Sequence, residues 1–582
     1  MDLLFATLLI LWRKTLINHQ KDKVLLISDF NISNLASLMS NDDSTPRVHA
    51  GIVPFGQITQ ALISTDLECW QDNPDYVVLW TQPEGVINTF HHILNYEKVT
   101  TNEILKEVDE YSSLILAACH RVKALFVPAW VTPLYNRGLG MLDMKTYTGI
   151  SNMIMRMNLR LSENLCKAPN VYLLNTQRWV MKIGEKSFNP KLWYMGKIPF
   201  GNQVFIEALN DIKAAIRGLT GHSKKLILLD LDDTLWGGIV GDLGWENIRL
   251  GGHDHIGEAF VDFQRAIKSL KNRGILLGIV SKNEESVAME AIEKHPEMIL
   301  NLKDFVVWRI NWQDKAQNIV DILAELRLGP QSVVFIDDNP VERDRIRTTL
   351  TEVYVPEWPN DKMLYASTLL RLNCFDSPSI SKEDLKRTSM HANERDREQL
   401  KKEIGSLDEW LKSLRINIQV EGLNTKNLSR TVQLLNKTNQ MNLTTRRMTE
   451  KELNEWVYLG KHRLWTFRVC DKFGDSGLTG IISLEEEKKT GRIVDFVLSC
   501  RVMGRKVEEV MLHTIIQYAQ SAGLKKVVAK YIQTAKNKPC LNFFKLSGFD
   551  QEKNNLFTWD TDKTYEIPEY IRIEVNTEVI SV

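Results

Sequence analysis

An apolar run that stops on paired acids constrains this chain more than any other feature. Leu226-Ile-Leu-Leu is followed at once by Asp230-Leu-Asp232-Asp233-Thr234. Consecutive large aliphatics are buried on both faces, the mark of a central strand in a parallel α/β sheet. Open sheets of that kind bind ligands outside the carboxyl ends of their strands, so Asp230 is delivered to a site. Asp232, two residues on, points back towards the same place. A carboxylate at the strand tip can attack phosphorus and form an aspartyl-phosphate. The second can protonate the leaving oxygen and later activate water.

The remaining parts of such a site follow in order. Leu277-Gly-Ile-Val-Ser281 puts a hydroxyl at the end of another strand, and Lys315 opens a helix after Asn311-Trp-Gln-Asp. Val333-Val-Phe-Ile then ends on Asp337-Asp338-Asn339. Like-charged carboxylates this close need a cation, and Asp230 with Asp337 or Asp338 offers hard oxygen ligands suited to Mg²⁺. Hydroxyl, lysine and metal together can bind the equatorial oxygens of a transferring phosphoryl group. Lys282 also adjoins the hydroxyl, but Lys315 is preferred because it opens the helix ahead of the acid-ending strand. The Gly-rich segment Trp236-Gly-Gly-Ile-Val-Gly-Asp242 is too short for a large cap, so the site is expected to be open to a bulky partner.

These elements resemble the haloacid-dehalogenase superfamily, with its DxDx[TV] block, strand-end Ser/Thr, lysine and terminal acid pair. The resemblance implies Asp230 as nucleophile and Asp232 as acid/base. It implies phosphate binding by Thr234, Ser281 and Lys315, and metal binding among Asp230, Asp232, Asp337 and Asp338. A narrower likeness rests on Asp232–Gly238, Phe335–Arg343, Leu434–Arg446, Ser499–Arg505 and Trp193–Phe200. Together these resemble the FkbH-like proteins of polyketide assembly lines over nearly the whole chain. That implies taking a glyceryl unit from 1,3-bisphosphoglycerate, removing phosphate, and loading an acyl carrier protein through its phosphopantetheine thiol. Two other readings remain: a phosphatase of another small phosphometabolite joined to a coenzyme A acyltransferase, and a non-catalytic carrier-docking scaffold. The complete acid set disfavours the scaffold.

Near the C-terminus, Ser499-Cys500-Arg501-Val502-Met503-Gly504-Arg505-Lys506 follows a strand and opens a helix. This resembles the acetyltransferase (GNAT) signature, in which backbone N–H groups at a helix start hold a pyrophosphate. Arg501 and Gly504 match it, whereas Lys506 stands where Gly or Ala is expected. The altered loop, with Arg501, Gly504 and Arg505, is therefore read as receiving a pantetheine arm. Cys500, beside arginines and ahead of a helix, has two readings: an acyl-carrying thiolate, or a core cysteine sharing a face with Val494, Phe496 and Leu498. Asn436 to Gln440 form a polar cluster that reads as a substrate-binding surface.

In the N-terminal region, Ile27-Ser28-Asp29-Phe30-Asn31 resembles the nucleophile block of SGNH hydrolases. The Gly-Asp-Ser is missing, and Trp193 and Tyr194 occupy the stretch where an Asp-x-x-His is expected. A hydrolase-like fold without hydrolase activity follows, serving docking or scaffolding.

At 582 residues the chain needs two to four domains. The expected architecture is α/β multidomain. An SGNH-like α/β domain spans 1–221, a HAD-like doubly wound parallel sheet 222–375, a solvated charged helical linker 376–402, and a GNAT-like α+β domain 403–582. Lys+Arg and Asp+Glu both number 73, which argues against a nucleic-acid or membrane coat. Seven scattered cysteines without a Cys/His cluster argue against structural zinc or disulfides and fit a reducing cytoplasm. The apolar run Leu3–Leu11 is too short to span a bilayer and is read as a buried first helix.

Overall fold

The computed structural model of the protein describes residues 21–575, apart from 65, 134, 135 and scattered positions between 386 and 402. The helix expected over Leu3–Leu11 lies outside the described residues. Two compact units divide the chain, residues 1–216 and 217–582.

The first unit is built on β1 (Asp22–Ser28), β2 (Val48–Ile52), β3 (Tyr76–Trp80), β4 (Ala124–Pro128) and β5 (Val171–Leu174). They run parallel in the order β2-β1-β3-β4-β5. Strands β3 and β4 are buried along their whole length, which is why they read as unbroken apolar runs. Leu25, Ile27, Val77 and Leu79 share a core with the helices Thr101–Ala118 and Ile150–Leu165. On the opposite face Trp80 packs against Trp179, Phe200 and Phe205. A reciprocal cap between Thr100 and Glu103 starts the longer helix. This strand order reverses direction between β1 and β3, where an open sheet leaves a crevice.

The second unit holds two sheets with separate cores. The central one is parallel, in the order β8 (Phe305–Ile310), β7 (Leu276–Ser281), β6 (Leu226–Leu229), β9 (Val333–Ile336). Strand β6 is flanked on both sides, so Asp230 emerges at the middle of the carboxyl edge. After β6 the chain makes just the short helix Val240–Leu243 before the helix His255–Asn272, with no inserted cap domain in this segment.

The last sheet is mixed. Strands β12 (His462–Asp471), β13 (Gly474–Glu487) and β14 (Thr490–Leu498) form an antiparallel meander. The chain then crosses through the helix Val507–Ser521 to β15 (Lys526–Lys530), which pairs parallel with β14. Strand β10 (Asn417–Gly422) and the short strands after β15 complete its edges. The architecture is thus α/β and multidomain.

The stretch expected to be a solvated linker is corrected. Asp384, Thr388, Met390 and Arg397 within it are buried. Arg397 makes a two-pronged contact with Asp471, Nε at 2.7 Å and Nη2 at 2.8 Å. Arg505 reaches the same carboxylate at 3.2 Å. Asp471 is fully buried between the two guanidinium groups. Trp410 Nε1 donates to the Arg397 carbonyl at 3.3 Å, which seats the stretch on the C-terminal sheet.

Candidate active site

Strand β6 carries Asp230, β7 ends in Ser281, and β9 delivers Asp337 and Asp338, so three adjacent strand tips converge. Oxygens of Asp230, Asp337 and Asp338 lie within 4.8 Å of one another. Lys315, the first residue of the helix Lys315–Leu326, places Nζ 3.0 Å from Asp230 Oδ1 and 2.7 Å from Asp337 Oδ2. Lys282, the neighbour of Ser281, instead pairs with Glu342 at 2.6 Å.

Burial, joined by the charge of Asp230, pushes the Asp337 carboxyl up to about 7 against the pull of Lys315. Burial opposes charge on Lys315 too, but Asp230 and Asp337 outweigh it and raise its pKa above the ordinary value. Asp337 Oδ1 accepts from Asn339 N at 2.9 Å, and Arg343 Nη1 donates to the carbonyls of Asp337 and Asp338 at 2.8 and 2.6 Å. Asp230 Oδ1 is buried as well, with the Lys315 ammonium as its close donor at 3.0 Å. Three carboxylates enclosed together and sharing one lysine fit a hard divalent cation.

Asp232 is not part of that carboxylate trio. Its Oδ1 accepts from Trp236 Nε1 at 2.9 Å and Val240 N at 3.0 Å, and its Oδ2 from Asn283 Nδ2 at 2.7 Å. Burial nevertheless raises its pKa above the usual carboxylate value. A carboxyl held in place and favouring its proton is suited to acid/base work beside Asp230. Thr234 is also corrected. It is fully buried, and its hydroxyl stands 3.4 Å from Asp338 Oδ1 while accepting from Asp338 N at 3.2 Å. It positions an acid instead of facing a phosphate. Ser281 is buried at the tip of β7, on the carboxyl edge.

Four contributors were not singled out from the sequence. Trp236 and Asn283 fix Asp232, Arg343 braces the acid pair, and Lys362 Nζ donates to the Asp233 carbonyl at 2.7 Å while lying 3.5 Å from Asp338 Oδ2. Asn283 sits two residues past Ser281, and Arg343 lies within the quoted Phe335–Arg343 block, so both had a signal. Lys362 comes from a remote segment and had none.

The C-terminal loop departs further from expectation. Gly504, at φ +76°, donates its N–H to Glu508 Oε1 at 2.7 Å. Glu508 is buried, and that burial raises its pKa. The backbone donor that would meet an anion is thus occupied by the chain's own carboxyl. Arg505, expected to bind pantetheine, is buried and committed to Asp471, so it is unavailable. Arg501 stays half-buried, with Nε 3.2 Å from Ser499 Oγ and Nη1 2.7 Å from Met390 Sδ.

Cys500 lies in the short turn Cys500–Val502, beyond the end of β14, and is half-buried, not a core residue of that strand. The helix begins only at Val507, so Cys500 is not at its N-terminus. The Cys500 carbonyl accepts from Arg327 Nη1 at 3.3 Å. Asn436 is likewise not a free surface group, since it exchanges two hydrogen bonds with the Met448 backbone at 2.8 and 3.0 Å.

Comparison with known proteins agrees with the central geometry. A family model described as haloacid dehalogenase-like hydrolase matches residues 243–347, a span that includes Ser281, Lys315, Asp337 and Asp338. Among solved structures, the chain is similar to the N-terminal part of protein BF1531 from Bacteroides fragilis, containing a phosphatase domain complexed with Mg. That likeness has 29% identity and a TM-score of 0.56, over 62% of this chain and 95% of the other. Part of the chain also aligns with a GNAT-family acetyltransferase from Staphylococcus aureus Mu50 at 12% identity and TM-score 0.21, over 25% of this chain and 99% of the other. A spermidine N-acetyltransferase from Vibrio cholerae aligns at 15% identity and TM-score 0.20, over 25% and 95%. No curated protein matches the chain. Among the described residues no helix is long and apolar enough to cross a membrane. The chain is an enzyme that carries a haloacid dehalogenase-like hydrolase domain.

Proposed function

We propose that this enzyme takes a glyceryl unit from 1,3-bisphosphoglycerate with removal of phosphate and loads it onto an acyl carrier protein, using Mg²⁺. The single observation that carries the phosphoryl chemistry is the cluster at the strand tips. Oxygens of Asp230, Asp337 and Asp338 lie within 4.8 Å of one another, and Lys315 Nζ stands 3.0 Å from Asp230 Oδ1. Asp230, Asp337 and Asp338 would hold the Mg²⁺, which supplies charge neutralisation for a bound phosphoryl group.

Asp230 attacks the phosphorus of the 3-phosphate, and the bond to the C3 oxygen breaks as the aspartyl-phosphate forms; the C1 phosphate is the leaving group when the carrier thiol attacks the acyl carbon. Asp232, held by Trp236, Val240 and Asn283, supplies a proton where the leaving oxygen needs one. It then takes a proton from the water that hydrolyses the aspartyl-phosphate. Ser281 and Lys315 orient the phosphoryl oxygens. The glyceryl and carrier parts of the reading rest on the FkbH-like sequence blocks, and Arg501 remains the residue proposed to meet the pantetheine arm.

The competing reading, a coenzyme A acyltransferase fused to a phosphatase, is disfavoured by Glu508. A pyrophosphate brought to Gly504 would have to displace a buried carboxyl that already holds the N–H. Intact-mass spectrometry of candidate carrier proteins, incubated with the enzyme, Mg²⁺ and 1,3-bisphosphoglycerate, tests the proposal. A glyceryl mass increment on the pantetheine arm is expected. Phosphate release without any increment on a panel of carriers would leave a plain phosphatase.

A further inference from the structure

The first unit contains a cavity of about 90 Å³ that the phosphoryl chemistry does not use. It lies past the carboxyl ends of β3 and β4, next to the point where the strand order reverses. That is where doubly wound sheets bind ligands. Trp80, Trp130, Phe90, Phe188 and Phe200 supply aromatic walls, and Thr81, Gln82, Asn136 and Glu84 supply polar groups. Few polar groups in an aromatic concavity is the usual make-up of a small-molecule site.

Glu84 decides the kind of ligand. It is half-buried, and among the described residues it makes no ion pair; the charge that reaches it comes from His91. It lines the cavity with no cationic side chain bonded to it among the described residues, and burial raises its pKa, so a cation entering beside the rings would favour its charge. Behind Gln82, the Asp29 carboxyl accepts the Gln82 N–H at 3.0 Å and adds a second acid. Carboxyl groups offer a phosphate or carboxylate no cation to bind, so this is not a second pocket for the phosphorylated substrate. A carboxyl among aromatic walls is instead the complement of an ammonium group, which gains both an ion pair and ring faces.

Size narrows the ligand further. A dry cavity of roughly 150 Å³ holds a benzene molecule, so 90 Å³ holds about four non-hydrogen atoms. We infer that this cavity is a non-catalytic binding site for a small organic ammonium ion, with Glu84 as counter-ion and Trp80 and Trp130 in its wall. Ser28, at the tip of β1, does not make it a hydrolase site: it is buried and its Oγ accepts from Phe30 N at 3.2 Å.

The test is calorimetric and saturation-transfer titration of the full chain with n-propylammonium, against 1-propanol as the uncharged analogue of equal size. The ammonium is expected to bind at least about tenfold more tightly than the alcohol. Glu84→Gln should erase that preference while phosphate release is unchanged. Ile154→Phe, which enlarges another lining residue into the cavity, should weaken both probes. Equal binding of the two probes to the parent chain would mean an apolar void only and overturn the inference. So would an ammonium preference that survives Glu84→Gln, or no ammonium binding at millimolar concentration.

Discussion

Asp230 is enclosed at its strand tip, with Lys315 Nζ 3.0 Å from Oδ1 and the Asp337 and Asp338 carboxylates beside it. Asp230→Asn keeps the shape and removes the anionic nucleophile. Phosphate release should then fall by roughly a thousandfold or more while the melting temperature barely moves. Near-parental release from the folded variant would remove the aspartyl-phosphate mechanism. A second acid reports on stability. Burial pushes Asp29 up to about 7, with the Gln82 N–H pulling the other way. Below about pH 4 both folded and unfolded chains keep this proton. Between there and about 7 the unfolded chain ionises first, so the first unit loses stability as pH rises, by at most about 4 kcal/mol, and the loss stops above 7. Asp29→Asn retains an acceptor for Gln82 and should flatten that slope in calorimetric melts. Gly85 explains why the acid fits, since a Cβ there would lie 1.9 Å from Asp29 Oδ2.

At the scale of elements, the buried Asp471 ties two arginines from separate segments, Arg397 and Arg505, to the end of β12. Asp471→Asn removes the carboxylate charge that both buried guanidinium groups share. Chemical denaturation should show a loss of about 3–5 kcal/mol, with faster proteolysis between residues 386 and 402. No periodicity could have revealed this latch. The segment is so rich in charge that it reads as solvated, and the burial of Arg397 depends on an acid far away in sequence. Elements buried on both faces were the legible ones: β3, β4, β6, β7 and β9 all read directly as apolar runs. Strand β2, Val-His-Ala-Gly-Ile, lies at a sheet edge and carries a His and a Gly, so it has no such run. Strand β10, Asn-Ile-Gln-Val-Glu-Gly, alternates over a short span and finds its place through β12.

At the scale of the whole molecule, the second unit separates its two proposed chemistries along one helix. Lys315 starts it at the carboxylates, and Arg327, just past its end, holds the Cys500 carbonyl. Twelve helical residues span about 18 Å, so Cys500 does not adjoin Asp230. Cys500→Ala should therefore leave phosphate release intact. If this thiol carries the acyl group, the variant loses both carrier loading and a hydroxylamine-labile adduct on its peptide, whereas loading at the parental rate means direct transfer to the pantetheine thiol. The sequence made Asp230, Lys315, Asp337 and Asp338 readable because strand tips and a helix start fix them locally. The roles of Thr234, Glu508 and Arg505 were hidden because each is set by a partner on another turn or segment. One further consequence concerns how the protein is made. Three carboxylates crowded together would hinder a newly synthesised chain that had yet to meet metal, but Lys315 is an internal counter-ion encoded in the polypeptide itself. Folding is therefore expected to proceed without metal, unlike that of small metal-folded domains. Chelation should silence phosphate release yet leave the melting temperature within a few degrees, about the shift expected from losing a weakly bound ligand, and adding Mg²⁺ back should restore turnover without refolding.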